Sequence, residues 1–181
     1  LATSGDSVAV ALNQLEVVAF SSSPIPTVAA AVTRNVDVLL FQVSGNINSI
    51  GSFYVQTNGI PVDGTAHLVF GIPTGNNFKL LADSSTAGHL FMARAVNSRS
   101  YNSWAAPSIL TAKIAGAWDT SLRVVVDGVQ ASPVVDTASS AADTDVYIGS
   151  TNGTLCVFGH IKNLRIFNRS MSDSELQLLT Q

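Results

Sequence analysis

The 181-residue chain is poor in charged residues, which make up 12% of it, against roughly 25% in an average soluble protein. Its polar surface must therefore come from Ser, Thr, Asn and Gly. The nine basic residues are scattered, and the formal net charge is −3. The chain has no basic patch of the kind that nucleic-acid-binding proteins carry, so no nucleic-acid partner is expected.

Cysteine occurs once, as Cys156, which excludes an internal disulfide. Cys156 lies in the short apolar run of residues 155–158, where we expect a buried, small hydrophobic side chain. The longest apolar stretches, such as residues 36–41, are far shorter than the roughly 20 residues that a membrane helix needs, so no membrane insertion is expected. No charged signal segment is seen, and the first residue is Leu, so we expect a fragment or processed product.

Only two glutamates are present, Glu16 and Glu175. Glycoside hydrolases need two carboxyl groups about 5 to 9 Å apart, and Glu175 is assigned below to a helix cap. The chain has neither a Gly-x-Ser-x-Gly elbow nor zinc-ligand spacing. Its three histidines, His67, His89 and His160, lie at or near predicted strand starts. The sequence therefore predicts a protein that is not an enzyme.

Short apolar runs separated by turn residues fill the chain. We count roughly twelve of them at 8–12-residue spacing, which is typical of an all-β sandwich. A chain of this length suits one domain, residues 1–181, with residues 1–20 as a candidate N-terminal extension or pair of added strands.

Several turns, loops and strands are predicted within this pattern. The pairs Asn58-Gly59, Asp63-Gly64 and Asp127-Gly128 favour turns with positive φ. Residues 97–107 and 132–144 are predicted as long loops, and residues 155–158 and 160–167 as the last two strands. Simple alternation along the last strand divides its side chains between two faces: Ile161, Asn163, Arg165 and Phe167 on one, and Lys162, Leu164 and Ile166 on the other. Apolar residues on both faces predict an inner strand.

A short helix is predicted at residues 172–179. Ser172 and Glu175 form a capping box, in which the serine hydroxyl accepts from the main chain and the glutamate reaches back. Leu176 and Leu179 share one helical face. We expect this helix to close one end of the sandwich.

The region from Thr111 to Leu179 resembles the C-terminal half of concanavalin A-like, laminin-G-like jelly-roll domains. The matching pieces, in order, are Ala117-Trp118-Asp119, Leu122-Arg123, Val126-Asp127-Gly128-Val129, Ile148-Gly149-Ser150, Gly159-His160-Ile161, Leu164-Arg165-Ile166-Phe167-Asn168-Arg169 and Met171-Ser172-Asp173-Ser174-Glu175-Leu176. The resemblance implies an antiparallel two-sheet jelly roll with one short C-terminal helix. It places Trp118 in the core and Asp119 and Asp127 at hairpin turns.

Residues 33–38 are similar to the opening of a subgroup found in bacteriophage tail and other virion proteins. In those proteins the domain often closes the chain with a Leu-Thr end like Leu179-Thr180. Secreted animal laminin-G modules often carry a disulfide, which this chain lacks, so a bacterial or viral source is favoured. The resemblance implies a virion or extracellular location.

The loop of residues 97–107 is the predicted ligand site. It combines the aromatic rings of Tyr101 and Trp104 with the polar groups of Arg99 and Asn102, a mixture that suits half-exposed saccharide sites. In the alternative interpretation, Trp104 covers the sandwich edge or lies in a subunit interface.

Calcium is the candidate cofactor, because jelly rolls of this family often bind it through loop oxygens. Asp143, Asp145 and Asn152 form the nearest group of hard oxygen ligands. The alternative is a solvated acidic turn, which the low acidic content favours, so no cofactor is the default expectation.

Three functions are compatible with these observations. The first is a non-catalytic binding domain of a phage tail fibre or tailspike, which contacts bacterial surface polysaccharide. The second is a structural, assembly or decoration domain that contacts other virion proteins and has no glycan ligand. The third is a glycoside hydrolase, against which the missing glutamate pair counts. A homotrimer is a candidate assembly, since such appendages are often trimeric.

Overall fold

The computed structural model describes residues 39–42, 50–61, 65, 67–71, 79–82, 90–94, 97–101, 109–136, 145–150 and 155–181. These residues belong to one compact unit, Asp37–Gln181. In the strands between residues 79 and 101, the backbone is described together with the side chains of Leu80 and Met92. The predictions of a single domain over residues 1–181 and of an extension at residues 1–20 stay predictions.

The described residues form twelve strands and one helix. The strands are β1 Leu39–Gln42, β2 Gly51–Pro61, β3 His67–Gly71, β4 Lys79–Ala82, β5 Leu90–Arg94, β6 Asn97–Tyr101, β7 Ile109–Trp118, β8 Ser121–Val126, β9 Val129–Gln130, β10 Val134–Val135, β11 Asp145–Ile148 and β12 His160–Phe167. The helix, α1, is Asp173–Thr180.

The strands form two antiparallel sheets. The first has the order β1-β11-β3-β4-β5-β6, and the second has the order β10-β8-β7-β2-β12, with β9 paired to β8. Some neighbours, such as β1 and β11 or β2 and β12, are far apart in the chain, as in a jelly roll. The predicted fold class, an antiparallel two-sheet sandwich with one short C-terminal helix, is confirmed.

The core lies between the two sheets. Phe53 of β2 meets Phe70 of β3 edge to face, with ring centroids 5.0 Å apart, and both are fully buried. Gly116 on β7 lies against the Phe53 ring, where a methyl group would overlap it. Trp118 is 1% exposed, which confirms its predicted place in the core.

Helix α1 covers part of the outer face of the second sheet. Its Leu176 packs with Met171 against Tyr54, Ala115 and other outward residues of β2, β7 and β8. Ser172 is the N-cap, and the predicted capping box with Glu175 is present. The helix thus packs on the outer face of this sheet and not at an end of the sandwich, contrary to the prediction, and it leaves the other end of that face open.

The β7–β8 turn holds the segment before the helix. Arg123 contacts Asp119 at 2.6 Å, Asp173 at 3.2 Å and the Ser170 hydroxyl at 2.5 Å. Ser52 adds a hydrogen bond at 2.8 Å to the main-chain oxygen of Arg169. The turn at Asp127 and Gly128, with φ of 46° and 79°, has the predicted positive angles.

The prediction of a turn at Asn58-Gly59 is wrong. Both residues lie inside β2, where the register against β7 shifts between Thr57 and Ile60. Gly59 has φ of 73°, and its N–H donates to the Thr111 hydroxyl at 3.2 Å. The positive φ preference is therefore met by a β-bulge and not by a chain reversal.

The prediction of an inner position for residues 160–167 is also wrong. Within the described residues, β12 is the edge strand of its sheet and pairs with β2 alone. A register shift between Lys162 and Arg165, with Asn163 at φ of 52°, reverses the alternation. Ile161 therefore joins Leu164 and Ile166 against the core, and Lys162 joins the outward side chains.

Three further segments differ from their predictions. Residues 97–101, predicted as loop, form strand β6, and residues 134–135, also predicted as loop, form strand β10 beside β8. Residues 155–158, predicted as a strand, form none, although Leu155 and Val157 bond to the main chain of Leu68 and Gly149. Leu155 has φ of 53°, which interrupts an extended strand. Cys156 is half-buried, not fully buried as expected.

The one helix found in the described part of the chain is too short and too polar to cross a membrane.

Candidate functional site

Five polar side chains form a continuous patch on the outer face of the second sheet, beyond the end that α1 covers. We call this patch the polar platform; its members are Gln56, Lys113, Lys162, Asn163 and Arg165. Gln56 on β2 lies between Lys113 on β7 and Lys162 on β12 in the strand register. Arg165 lies opposite Tyr54, in the next row towards the helix.

The alternation along each strand explains why these side chains point outward. On β2, buried Phe53 and Val55 flank Tyr54, and Gln56 follows Val55. On β7, buried Ala112 and Ile114 flank Lys113. Since directly opposite residues share a face of a sheet, the three strands present Lys113, Gln56 and Lys162 side by side.

A chain of hydrogen bonds orients the amides of the platform. Asn163 donates from Nδ2 to Oε1 of Gln56 at 2.7 Å, and Gln56 donates from Nε2 to the Tyr54 hydroxyl at 2.6 Å. Tyr54 is 7% exposed and packs among the residues under α1. The buried phenol thus fixes one amide, and that amide fixes the other.

The β12 bulge brings Asn163 into the platform. A regular strand would turn the residue after Lys162 to the core side, but the left-handed backbone at Asn163, with φ of 52°, keeps its side chain outside. Asparagine tolerates this conformation better than other residues with a Cβ atom. Consecutive residues, Lys162 and Asn163, therefore serve the same face.

The cations of the platform differ in what holds them. Lys113 donates from Nζ to the main-chain oxygen of Gln181. Lys162 and Arg165 are exposed, and within the described residues neither makes a salt bridge. Two basic groups on the edge strand therefore face solvent beside two ordered amides.

This arrangement suits a ligand rich in hydroxyl groups. Each amide carries two N–H donors and a carbonyl acceptor and uses only part of them inside the chain, and guanidinium and ammonium groups add further donors. A saccharide offers hydroxyls that both donate and accept. The platform is open, so it would contact a chain laid across the strands.

A cavity of about 590 Å³ lies between the edges of the two sheets, beside β1, β11 and β12. Val146, Ile148, Leu164 and Ile166 are in its lining, and Asn168 is the one polar side chain in the described lining. Such a wall offers few partners for hydroxyl groups, so the platform is the better candidate site.

Two of the four predicted ligand residues lie on β6, which is the edge strand of the first sheet within the described residues. Arg99 and Tyr101 belong to β6, opposite Met92 and Leu90 of β5, and their side chains lie outside what the structure describes. Asn102 and Trp104 lie outside the described residues. The assignment of these four residues to a ligand site stays a prediction.

The calcium prediction also stays untested. Asp145 is the first residue of β11 and pairs with Gln42 of β1, while Asp143 and Asn152 lie outside the described residues. Within the part of the chain that the structure covers, no group of three His, Cys, Asp or Glu side chains could hold a metal ion.

The carboxylates near α1 take part in ion pairs and hydrogen bonds that hold the fold together. Burial opposes the ionisation of Asp119, but hydrogen bonds from Ser170 and Ser121 and the charge of Arg123 outweigh it and hold the pKa of Asp119 below its ordinary value. Glu175 accepts hydrogen bonds from Arg169 and from Ser172, which lower its pKa to about 2. Both groups stay ionised at neutral pH in structural pairs.

His67 is buried, with Nδ1 2.6 Å from the main-chain oxygen of Cys156 and its ring edge to face with Phe158. His160 begins β12 and is exposed. His89 lies outside the described residues.

Sequence inspection missed the platform. Of its members, Asn163 and Arg165 were assigned to one face of the last strand and Lys162 to the other, and none was a candidate ligand residue. The sequence does carry one signal of the platform: Gln56 and Lys113 are polar residues that alternate with apolar ones along β2 and β7. The sequence does not show which strands are neighbours, so it does not unite these residues.

No protein-family model matches the chain, and no curated protein matches its sequence. Solved structures do resemble it. The CBM40 domain of the Ruminococcus gnavus IT-sialidase superposes with a TM-score of 0.63 at 14% identity, over 82% of this chain and 96% of that one. The same domain with bound alpha2,3 sialyllactose gives a TM-score of 0.62.

Domain 4 of AbnA, a GH43 extracellular arabinanase from Geobacillus stearothermophilus solved with arabinotriose, gives a TM-score of 0.62 at 16% identity. It covers 76% of this chain and 69% of that one. A SAP-like pentraxin from Limulus polyphemus gives 0.53 at 11% identity, over 70% of this chain and 68% of that one. At these identities the likeness establishes the β-sandwich fold that the sequence predicted.

Proposed function

We propose that this domain is a non-catalytic carbohydrate-binding module, and that the polar platform is its binding surface. The observation that carries the proposal is the hydrogen-bonded row of Asn163, Gln56 and Tyr54 beside exposed Lys162 and Arg165. Ordered amides and cations on an open sheet face supply the hydrogen-bond donors and acceptors that saccharide hydroxyls need.

The structural neighbours support this proposal. The R. gnavus domain was solved with sialyllactose and the AbnA domain with arabinotriose. Both are parts of glycoside-active enzymes, yet the proposed role here is binding alone, because the described carboxylates near α1 are committed to structural pairs.

We further propose that the module belongs to a bacteriophage appendage, where it contacts host-surface polysaccharide outside the cell. Support for this context comes from the sequence, through the resemblance of residues 33–38. In that setting, other virion proteins and further copies of the chain, in a homotrimer, are the additional partners.

The test is binding of the purified domain to a broad panel of bacterial surface polysaccharides that also includes sialyllactose and arabinotriose. Two platform variants, Gln56→Ala and Asn163→Gly, are measured beside the wild type. Each removes one amide, and glycine keeps the backbone angle at residue 163. We expect both variants to weaken saccharide binding while circular dichroism stays unchanged.

A third variant, Trp104→Ala, separates the platform from the predicted site in residues 97–107. Loss of binding in Trp104→Ala, with wild-type binding in both platform variants, would move the site to residues 97–107. If the folded wild type bound no saccharide of the panel, the proposal would be overturned and a structural domain of a virion would be favoured. Repeating the measurement in calcium and in a chelator tests the Asp143, Asp145 and Asn152 prediction.

A further inference from the structure

The charges on the polar platform contrast with those of the whole chain. The chain has three lysines and a formal net charge of −3, yet two of those lysines, Lys113 and Lys162, and Arg165 share this face. Building on the proposed function, we propose that the platform selects saccharides that carry a carboxylate, which lies between Lys162 and Arg165.

No carboxylate among the described residues forms a salt bridge with Lys162 or Arg165. Asp119 and Asp173 contact Arg123, and Glu175 contacts Arg169. Asp127 accepts from the main-chain N–H of Lys113 at the β8–β9 turn. None of these four groups neutralises Lys162 or Arg165, so an anionic group of a ligand would meet two cations that form no salt bridge within the described residues.

The spacing of the two cations fits one small anion. Lys162 lies opposite Gln56 and Arg165 lies opposite Tyr54, and residues two apart on the central strand are separated by roughly 7 Å. Long flexible side chains can close over a carboxylate from both ends of that interval. The guanidinium of Arg165 can bind its two oxygens as a fork, and the ammonium of Lys162 acts as a point charge.

Asn163 adds oriented hydrogen-bonding groups to the attraction of the two cations. It lies between the two cations in the chain, and its amide is held by the Gln56 side chain at 2.7 Å. A sugar ring whose carboxylate is held by the cations would therefore place its hydroxyls over two oriented amides. Charge supplies selectivity for the acid, and the amides supply the contacts to the ring.

The experiment compares acidic oligosaccharides with neutral counterparts by isothermal titration on the whole chain. The probes are oligogalacturonate against its carboxyl-reduced form, and sialyllactose against lactose. A sulfated dextran tests whether any oxyanion suffices. The variants are Lys162→Gln with Arg165→Gln together, and Arg169→Gln as a control that removes an arginine outside the platform.

We expect at least one acidic probe to bind the wild type about tenfold more tightly than its neutral counterpart, the size of one charge-assisted hydrogen bond. The double variant should lose that difference, so that it binds the acidic probe and its neutral counterpart with equal affinity. The preference should also shrink with added salt, because exposed charges are screened. Arg169→Gln should retain it.

Three outcomes would overturn the inference. Equal binding of acidic and neutral probes would remove the carboxylate preference and leave the proposed carbohydrate function intact. Sulfated dextran binding as tightly as the acidic sugars would replace a carboxylate site with general attraction of oxyanions. No binding of any saccharide by a folded domain would refute the proposed function together with this inference.

Discussion

At the scale of single residues, backbone conformation decides which side chains reach the polar platform. Asn163, Asp127 and Leu155 are the non-glycine residues with positive φ in the described chain. At Asn163 this angle creates the bulge that puts two consecutive polar side chains on one face. A residue that disfavours the left-handed region should therefore act on the fold as well as on binding.

Two substitutions at residue 163 separate these effects. Asn163→Ala should lower the free energy of unfolding by about 1–2 kcal/mol, since alanine pays the steric cost of the left-handed region. Asn163→Gly should change it by less, although both variants lose the hydrogen bond to Gln56. Urea denaturation measures both; an alanine variant as stable as the glycine variant would contradict a strained bulge.

Gly159 is a second residue whose backbone place excludes a side chain. A Cβ atom there would lie 2.9 Å from the main-chain carbon and oxygen of Gly59 and from the nitrogen of Ile60. Backbone atoms cannot rotate away, so Gly159→Ala should destabilise the protein by about 1–3 kcal/mol, the usual cost of overpacking. Gly59→Ala is a useful comparison: its Cβ would have open space, and only its φ of 73° opposes it.

At the scale of elements, helix α1 is held at its start by charge and at its side by apolar packing. The capping box joins Ser172 and Glu175, and Arg169 binds Glu175 at 2.8 Å. Further along, Leu176 is fully buried against the sheet. The contact of this segment with the platform is at its other end, where Lys113 donates to the main-chain oxygen of Gln181.

Acid should loosen that first turn. The pKa of Glu175 is lowered from 4.5 to about 2 by hydrogen bonds from Arg169 and Ser172. A depressed pKa in the folded state means that the ionised carboxylate stabilises the fold. This stabilisation is complete above about pH 4.5, the ordinary pKa of a glutamate, and it is lost as the pH falls through about 2.

The variant Glu175→Gln should remove this part of the pH dependence. Its free energy of unfolding should approach that of the wild type as the pH falls towards 2, and the gap should be widest at neutral pH. Urea denaturation at several pH values measures the gap. Arg169→Met removes the hydrogen bond that lowers the pKa of Glu175 most, so that pKa should rise. An NMR titration measures it directly. A gap that is constant across pH would contradict the assignment.

At the scale of the whole molecule, local signals in the sequence predicted an all-β sandwich with a C-terminal helix, and the resemblance to jelly-roll domains predicted its two sheets, but neither predicted the site. Alternation, the Asp127-Gly128 turn and the capping box at Ser172 predicted the sandwich and its helix, because each depends on neighbours in the chain. The platform depends on the pairing of β2 with β7 and β12, and two bulges reverse the alternation on which inspection relies.

The two-sheet architecture also predicts that adjacent residues of one strand affect different properties, one the stability of the fold and the other saccharide binding. Val55 is fully buried in the core between the sheets, while the next residue, Gln56, lies on the outer platform. Val55→Ala removes two buried methyl groups and should lower the free energy of unfolding by about 2 kcal/mol. The folded variant should bind saccharide as the wild type does.

Gln56→Ala should do the reverse. Surface substitutions usually change stability by no more than about 0.5 kcal/mol, but this one removes the amide that links Asn163 to Tyr54, so saccharide affinity should fall. Both variants carry alanine, one residue apart, and are measured by urea denaturation and by titration with the same ligand. If Val55→Ala weakened binding as much as Gln56→Ala did, the binding surface could not be assigned to the outer face, because the two side chains point to opposite sides of the sheet.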